Sequence, residues 1–349
     1  MFFTEIMRKT CTACQRLKKM DTTTEAYNTL KANHKCQKNY DGSAPGMELV
    51  GSTRIFGRSV AERKLRYTKY IGDGDSKSYD SIAAEKPYGE NCIINKLECV
   101  GHVQKRVGTQ LRNLKKMSGS TKLADGKTLG GKGRLTLKEI DKLQIYYGLA
   151  IRRNTGDLAK MKQDISAILR HCLSTNENPN HSLCPSGPDS WCGYNRDPEG
   201  YKHSNPLPKA VSVHIKPVFD RLSRQDLLNR CSDGFTQNAA ESFNNVLWHF
   251  CPKSTFVGAM PLNISAALAI VTYNDGYSSL QGLFPMIGLS LGSNTAKVLA
   301  KKDNTRLYLA RRNVDEKQKK IRQSNRKRRL GMQDDTSEIE GVLYEAGRF

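Results

Sequence analysis

The sequence lacks a long apolar run, which argues against a membrane-spanning helix. Its most apolar stretch, ISAALAIVTY from Ile264 to Tyr273, is shorter than the ~20 residues that a transmembrane helix needs. The opening MFFTEIMRKT has no apolar core of the kind found in signal peptides, and the sequence carries no lipidation motif. We therefore expect an intracellular protein with no membrane partner.

Acidic residues are scarce relative to basic ones. The 349 residues contain 34 Asp and Glu against 56 Lys and Arg, a formal net charge of +22. An excess of this size implies an acidic partner, and nucleic acid is the first expectation. Cysteine is also too scarce for a disulfide scaffold, with ten in the chain. Because several cysteines stand near histidines, we expect reduced thiols and metal binding instead.

The local patterns predict a mixed α/β core without internal repeats. GMELVGSTRIFGRSVAERKLRY has helical periodicity, YTKYIGD is typical of a short strand, and ENCIINKLEC gives a second strand followed by a basic helix. Residues 118–133 are rich in Gly, Ser and Lys and predict a flexible loop or linker. Further helices are predicted after this loop, including one over TQNAAESFNNVLWHF.

Asp73 and Asp75, in the stretch RYTKYIGDGDSKSYD, follow a predicted strand, and Glu241 lies on a predicted helix much later in the chain. Carboxylates so placed can hold Mg²⁺, and two such ions stabilise both oxygens of a phosphoryl displacement. The alternative is a surface turn, because Asp, Gly and Ser are all turn formers. Lys77 breaks both the EF-hand pattern and the D-x-D-x-T pattern of haloacid dehalogenase-type phosphatases.

Two sets of Cys and His have the spacing of zinc half-sites. Cys11 and Cys14 form C-x₂-C, and an H-x-C pair follows at His34 and Cys36. Together they supply the soft ligands of a tetrahedral Zn²⁺ site, with unliganded thiols as the alternative.

The second set consists of two pairs that lie far apart in the sequence. Cys99 and His102 form C-x₂-H, and His181 and Cys184 form H-x₂-C. We expect these pairs to meet in the fold and bind a second Zn²⁺, with Cys192 as a competing ligand. Ordinary core packing is the alternative for each residue.

Basic residues cluster on the helix predicted after the second strand and near the C-terminus. We expect the helix to contact a DNA phosphate backbone, although a solvated face is the alternative. Its basic residues are Lys105, Arg106, Arg112, Lys115 and Lys116. The run KQKKIRQSNRKRRL, from Lys317 to Leu330, predicts a nuclear-localisation signal, a DNA-binding tail or both.

Several separated motifs together resemble one family. They are HKCQKNYDGSAPGMELVGSTRIFGRSV, LRYTKYIGDGDSKSY, ECVGHVQKRVGTQLR, CPSGPDSWCGY, DGFTQNAAESFNNVLWHFCPK and the C-terminal EGVLYEAGRF. In this order they look like the Mutator-like transposase domain of animal transposable elements. The resemblance implies an RNase H-like fold with a D-D-E set of carboxylates that bind Mg²⁺ or Mn²⁺ and cut and join DNA. Its second Asp maps to Asp73 or Asp75, its Glu to Glu241, and its C-x₂-H element to Cys99 and His102.

The sequence departs from the family pattern at one place. The resemblance implies a first catalytic Asp in a segment like S-Y-D-G-T-W, upstream of the first cysteine pair. No such motif precedes Cys11, and the available carboxylates Asp21 and Asp41 follow no convincing strand. We therefore expect an N-terminally truncated element with an incomplete sheet, poor Mg²⁺ binding and impaired catalysis.

These observations lead to an expected organisation and function. The expected segments are a Cys/His zinc-binding segment (1–45), an RNase H-like core part with the second acidic residue (46–117), a helical insertion with a Cys/His-rich loop (118–235), C-terminal core helices with the catalytic Glu (236–300) and a basic tail (301–349). The expected function is transposition by a nuclear DNA-binding protein of D-D-E type. The alternatives are a non-catalytic, decayed or domesticated DNA-binding protein and, less favoured, a phosphatase. The oligomeric state stays open, a homo-oligomer included.

Overall fold

The computed structural model describes residues 4–72, 77–187, 190–203 and 205–315, together with 317–318, 321–322 and 324–325. Most of these residues are helical. The elements in chain order are α1 Thr12–Leu17, α2 Glu25–Asn33, α3 Ala44–Arg63, β1 Lys69–Gly72, α4 Lys77–Glu85, β2 Asn95–Glu98, α5 Val100–Ser118, α6 Leu137–Arg153, α7 Leu158–Leu173, α8 Gly193–Arg196, α9 Lys209–Leu222, α10 Gln225–Cys231, α11 Asn238–Phe250, α12 Ala259–Asp275, a 3₁₀ helix Tyr277–Gly282, α13 Leu283–Met286 and α14 Ser293–Val314.

The chain forms two compact units. The described residues of the first unit are 4–70, 77–95 and 238–315, and those of the second are 71–72, 96–187, 190–203, 205–237, 317–318, 321–322 and 324–325. The first unit therefore combines the N-terminal helices with α11–α14, whereas the second contains α5–α10.

The second unit is a helical assembly with an extensive apolar core. Helices α5, α6, α7 and α9 contribute fully buried side chains to it, among them Leu111, Tyr147 and Ile215. Side-chain caps fix the starts of two of these helices, because Thr136 accepts a hydrogen bond from the Glu139 N–H at the start of α6 and Asp157 does so from Lys160 at the start of α7.

The first unit has a smaller, aromatic core. Phe56 on α3 packs against Tyr70 on β1 and Ile82 on α4, with further tyrosines around them. The Ser43 hydroxyl caps α3, which ends at Lys64 in the left-handed conformation (φ 59°). Elsewhere in the unit, α11 packs against α12, and α14 packs against the 3₁₀ helix.

The sheet consists of two short parallel strands, β1 and β2. The Asn95 N–H donates to Thr68 O (2.8 Å) and the Cys99 N–H to Gly72 O (3.4 Å), so both partners advance by four residues in the same direction. The expected strands are therefore present, but the described residues are mostly helical. An RNase H-like core stays a prediction.

The sequence predicts that no helix spans a membrane. Among the described residues, no helix combines the length and apolar composition that crossing a membrane requires.

Candidate metal centres

The first predicted zinc ligands lie together in the structure. Cys11 and Cys14 stand at the start of α1, and His34 and Cys36 follow α2, so two short helices present the four residues. One ligand atom from each lies within 4.8 Å of the others. We call this set the N-terminal Cys/His group.

The distances in the N-terminal Cys/His group are close to those of a tetrahedral site. Zinc bonds of about 2.3 Å to sulfur and about 2.05 Å to nitrogen place two sulfurs about 3.8 Å apart, and a sulfur and a nitrogen about 3.6 Å apart. In the structure, Cys14 Sγ lies 3.5 Å from Cys36 Sγ and 3.3 Å from His34 Nε2. The group could therefore hold a metal ion such as Zn²⁺.

Hydrogen bonds also prepare these side chains as ligands. His34 Nδ1 lies 3.2 Å from Leu30 O and donates its proton there, which leaves the Nε2 lone pair facing Cys14. Backbone N–H groups of Gln37 and Cys14 lower the pKa of Cys11 to about 6, whereas the neighbouring Cys36 thiol raises the pKa of Cys14 to about 11. Thiols this close cannot all ionise together unless a cation compensates their charge.

A second group has the same kind of geometry and is fully enclosed. It consists of His171 near the end of α7, His181 and Cys184 in the loop that follows, and Cys192 at the start of α8. All four side chains are buried. We call this set the buried Cys/His group.

The buried Cys/His group differs in membership from the second zinc site predicted from the sequence. His181 and Cys184 are joined by His171 and Cys192, and Cys99 and His102 belong to neither group in the described part of the chain. Cys99 instead stands at the N-cap of α5, where its sulfur accepts a hydrogen bond from the Gln237 N–H at 3.4 Å. That Cys99 and His102 bind a metal ion stays a prediction.

Sequence reasoning missed His171, although a signal for it was present. In LAKMKQDISAILRHCL the apolar residues Met161, Ile165 and Ile168 mark the buried face of α7, and His171 continues it three residues after Ile168. A histidine on a buried helical face needs a polar or metal partner. The sequence makes Cys192 a competitor of Cys184 as a ligand, and the structure places both thiols in the same group.

Of the three predicted carboxylates, only Glu241 lies in the described part of the chain. Glu241 is exposed in the first turn of α11, a helix that buries Phe243. Asp73 and Asp75 directly follow β1 but lie outside the described residues.

Two of the five basic residues predicted to contact DNA from α5 form ion pairs with neighbouring carboxylates. Arg106 Nη2 lies 2.9 Å from Oε2 of the buried Glu98, and Arg112 Nη2 lies 2.5 Å from Asp141 Oδ1. Lys105 and Lys116 are exposed, and Lys115 is half-buried. The positive charge that α5 offers to a ligand is therefore smaller than the sequence indicates.

Helix α14 has a larger exposed basic surface. No residue of this helix is buried, and its 22 residues include Asp303 as the one acidic residue. Its basic residues are Lys297, Lys301, Lys302, Arg306, Arg311 and Arg312. One stripe of the helix, from Lys297 and Lys301 to Tyr308, lines an open groove of about 510 Å³. Most of the predicted tail, Lys317–Leu330, lies outside the described residues.

These features define a basic, largely helical protein with two Cys/His groups that could each hold a metal ion. The family model of the Mutator-like transposase matches residues 1–192, more than half of the chain, and the matched residues include every member of both groups. The chain therefore belongs to the Mutator-like transposase family, as the resemblance indicated. No curated protein and no solved structure matches it.

Proposed function

We propose that the protein is a DNA-binding protein of transposase type that engages the phosphate backbone through α14. The observation that carries this proposal is the exposed basic stripe of that helix. Lys297 and Lys301 are four residues apart, so they lie on one face about 6 Å apart along the axis. Both are exposed, and both line the same groove. Two ammonium groups on one face can neutralise phosphates without reading the sequence.

Tyr308 gives this face a second kind of contact. Its side chain is 63% exposed and lies in the same groove as the two lysines. An exposed aromatic ring beside lysines can stack on an unpaired base while the lysines hold the backbone. Such a combination suits the unpaired ends that DNA cleavage produces. The proposal also includes the nuclear location that is expected from the sequence.

The catalytic part of the proposal concerns the carboxylates of the D-D-E set. Asp73 or Asp75 and Glu241 would hold Mg²⁺ or Mn²⁺, because these ions prefer carboxylate oxygens. When bound, such ions activate water and stabilise the leaving oxygen of a phosphodiester. Glu241 is exposed in the first turn of α11, so its carboxylate is accessible from solvent. The N-terminal Cys/His group would bind Zn²⁺ and keep α1 and α2 in place.

A second candidate function is DNA binding without catalysis. The observations that support it are the exposed basic residues of α14 and the two Cys/His groups, because none of these features requires catalysis. Under this proposal, α14 and the Cys/His groups keep their roles and Glu241 has no chemical role.

Nicking of supercoiled DNA separates the two functions. The wild-type protein and Glu241→Ala are incubated with plasmid in Mg²⁺ or Mn²⁺, and DNA binding is measured in parallel. The catalytic proposal predicts metal-dependent nicking that Glu241→Ala abolishes while binding is unchanged. Binding without nicking by the wild type supports the second candidate. Nicking that persists in Glu241→Ala contradicts the assignment of Glu241, and the absence of DNA binding contradicts both functions.

A further inference from the structure

We propose that the buried Cys/His group binds one structural Zn²⁺ ion, and that His203 positions the ligand His181 through a hydrogen bond. This site is distinct from the N-terminal Cys/His group and uses His171, His181, Cys184 and Cys192 as its four ligands.

The distances between the ligand atoms match a tetrahedron around zinc. Zinc–ligand bonds of ordinary length place two nitrogens about 3.3 Å apart, and a sulfur and a nitrogen about 3.6 Å apart. His171 Nδ1 and His181 Nδ1 are 3.1 Å apart. Cys184 Sγ lies 3.7 Å from both nitrogens, and Cys192 Sγ lies 3.5 Å from His181 Nδ1. Each of these distances is within about 0.2 Å of the tetrahedral value.

The hydrogen bonds outside the ligand set fix the proton of His181 on the correct nitrogen. Asn176 Oδ1 can only accept, and it lies 2.9 Å from both the His203 backbone N–H and His203 Nδ1. His203 therefore carries its proton on Nδ1, and its Nε2 has a lone pair. That lone pair faces His181 Nε2 at 2.8 Å, so His181 must donate from Nε2. His181 Nδ1 is then left without a proton and faces the other three ligands.

The sulfur ligands are also prepared for a cation. The Asn195 N–H lies 3.4 Å from Cys192 Sγ and donates to it. Two thiols and two imidazoles form the donor set that favours tetrahedral Zn²⁺ over the harder ions.

The surrounding chain supports a structural role. Residues 174–208 join α7 to α9, and α8 is the one helix described within them. Long irregular connections inside a compact unit are uncommon and need their own source of order. This connection nevertheless buries Ser190 and Trp191, and Trp191 stacks on Tyr146 of α6 at 4.5 Å. A metal ion that joins His171 on α7 to the loop would provide that order, and its four protein ligands leave no position for substrate.

Zinc content measured by elemental analysis tests the ligand set. The full chain is purified from zinc-supplemented medium, and His171→Ala and Cys184→Ser are expected to contain one zinc equivalent fewer than the wild type. Cys172→Ser is the matched control, because Cys172 is a buried thiol adjacent to His171 on α7 that lies outside the group. Wild-type zinc content in His171→Ala and Cys184→Ser would overturn the proposal, as would an equal loss in the control.

The role of His203 is tested without removing a ligand. His203→Ala keeps all four ligands but loses the acceptor for His181, and the loss of such outer hydrogen bonds weakens metal binding by about 10–100-fold. His203→Gln can restore an acceptor and should recover part of that loss. Affinities are measured by competition with a chelator of known strength. Unchanged affinity in His203→Ala would overturn the positioning role.

A third measurement substitutes no ligand, so its outcome does not depend on whether the ligand variants fold. Trp248→Phe leaves Trp191 as the one tryptophan, and the Trp191 ring lies 5.1 Å from the ring of His171. Removal of zinc by a chelator should change the emission of Trp191, and added Zn²⁺ should restore it. Emission that stays constant while all bound zinc is removed would overturn the proposal.

Discussion

Removal of two lysines from α14 gives a quantitative test of the proposed DNA contact. Lys297→Ala and Lys301→Ala, combined in one chain, remove two exposed charges from the groove on this helix. Alanine is the best helix former, and no residue of α14 is buried, so the helix should persist. The substitutions therefore change charge with little change in fold.

The expected size of the effect follows from counterion release. Each lysine that neutralises one phosphate contributes about 0.9 to the slope of log K against log salt, so the double variant should lower the slope by about 1.8. If the wild type and the variant bind equally at 1 M salt, this difference in slope makes the affinity of the variant about 60-fold weaker at 0.1 M salt. The loss should be similar for unrelated DNA sequences, because phosphate contacts carry no base information.

Fluorescence anisotropy with a labelled duplex, measured over a range of salt concentrations, provides the slope. The matched control is Lys216→Ala with Arg224→Ala, which removes the same net charge from exposed residues. In the structure Lys216 Nζ lies 2.7 Å from Asp220 Oδ2, and Arg224 Nε lies 3.0 Å from Asp226 Oδ1. A slope that is unchanged in the α14 variant, or lowered equally in the control, would refute the assignment of this face.

Three further predictions concern the metal groups and the second unit. Cys14→Ser should lose one zinc equivalent in elemental analysis, because Cys14 Sγ faces both His34 and Cys36. Tyr147→Phe should lower the free energy of unfolding in urea by about 1–3 kcal/mol, because the buried Leu222 carbonyl loses the hydroxyl that donates to it at 2.6 Å. Asp125→Asn should be less stable than the wild type in thermal unfolding at pH 7, and this difference should vanish in acid. Hydrogen bonds from Arg134 lower the pKa of Asp125 in the folded chain, so its stabilising effect is present above the unfolded pKa of about 4 and is lost as the pH falls through the folded pKa.

Each of these predictions has an outcome that contradicts it. Wild-type zinc content in Cys14→Ser would exclude this thiol from the ligand set. Tyr147→Phe with an unchanged unfolding midpoint would mean that another donor satisfies the Leu222 carbonyl. A stability difference for Asp125→Asn that does not shrink as the pH falls below about 4 would show that the effect does not arise from ionisation.

The sequence predicted the positions of the helices better than the burial and pairing of the residues around them. The periodicity of LTLKEIDKLQIYYGLAIRRN and LAKMKQDISAILRHCL predicted α6 and α7, since an apolar stripe at helical spacing is a local property. The Gly-rich stretch 118–133 predicted a flexible loop or linker; in the structure Leu129 in this stretch is completely buried, and its Asp125 pairs with Arg134 just beyond the stretch. Gly and Ser report the turns that a segment can make, and burial depends on the helices that surround it.

For the basic residues too, the sequence gives their number, whereas their ion pairs depend on the fold. The excess of Lys and Arg was evident from counting, but the structure pairs Arg106 with Glu98 and Arg112 with Asp141. The predicted contact helix α5 therefore has less available charge than α14, none of whose residues is buried. A charge count cannot distinguish these helices, because ion pairing depends on residues far apart in the chain.

The sequence by itself determined the family and the N-terminal Cys/His group. Each half of that group is a short motif, and the two halves lie close enough in the chain for two small helices to bring them together. Only the tertiary structure decided the membership of the buried Cys/His group. His171 has no ligand motif of its own, and Cys99 and His102 have such a motif but stand at the start of α5. The physical reason is that metal ligands are selected by distance in space, which sequence spacing fixes only within one short local element.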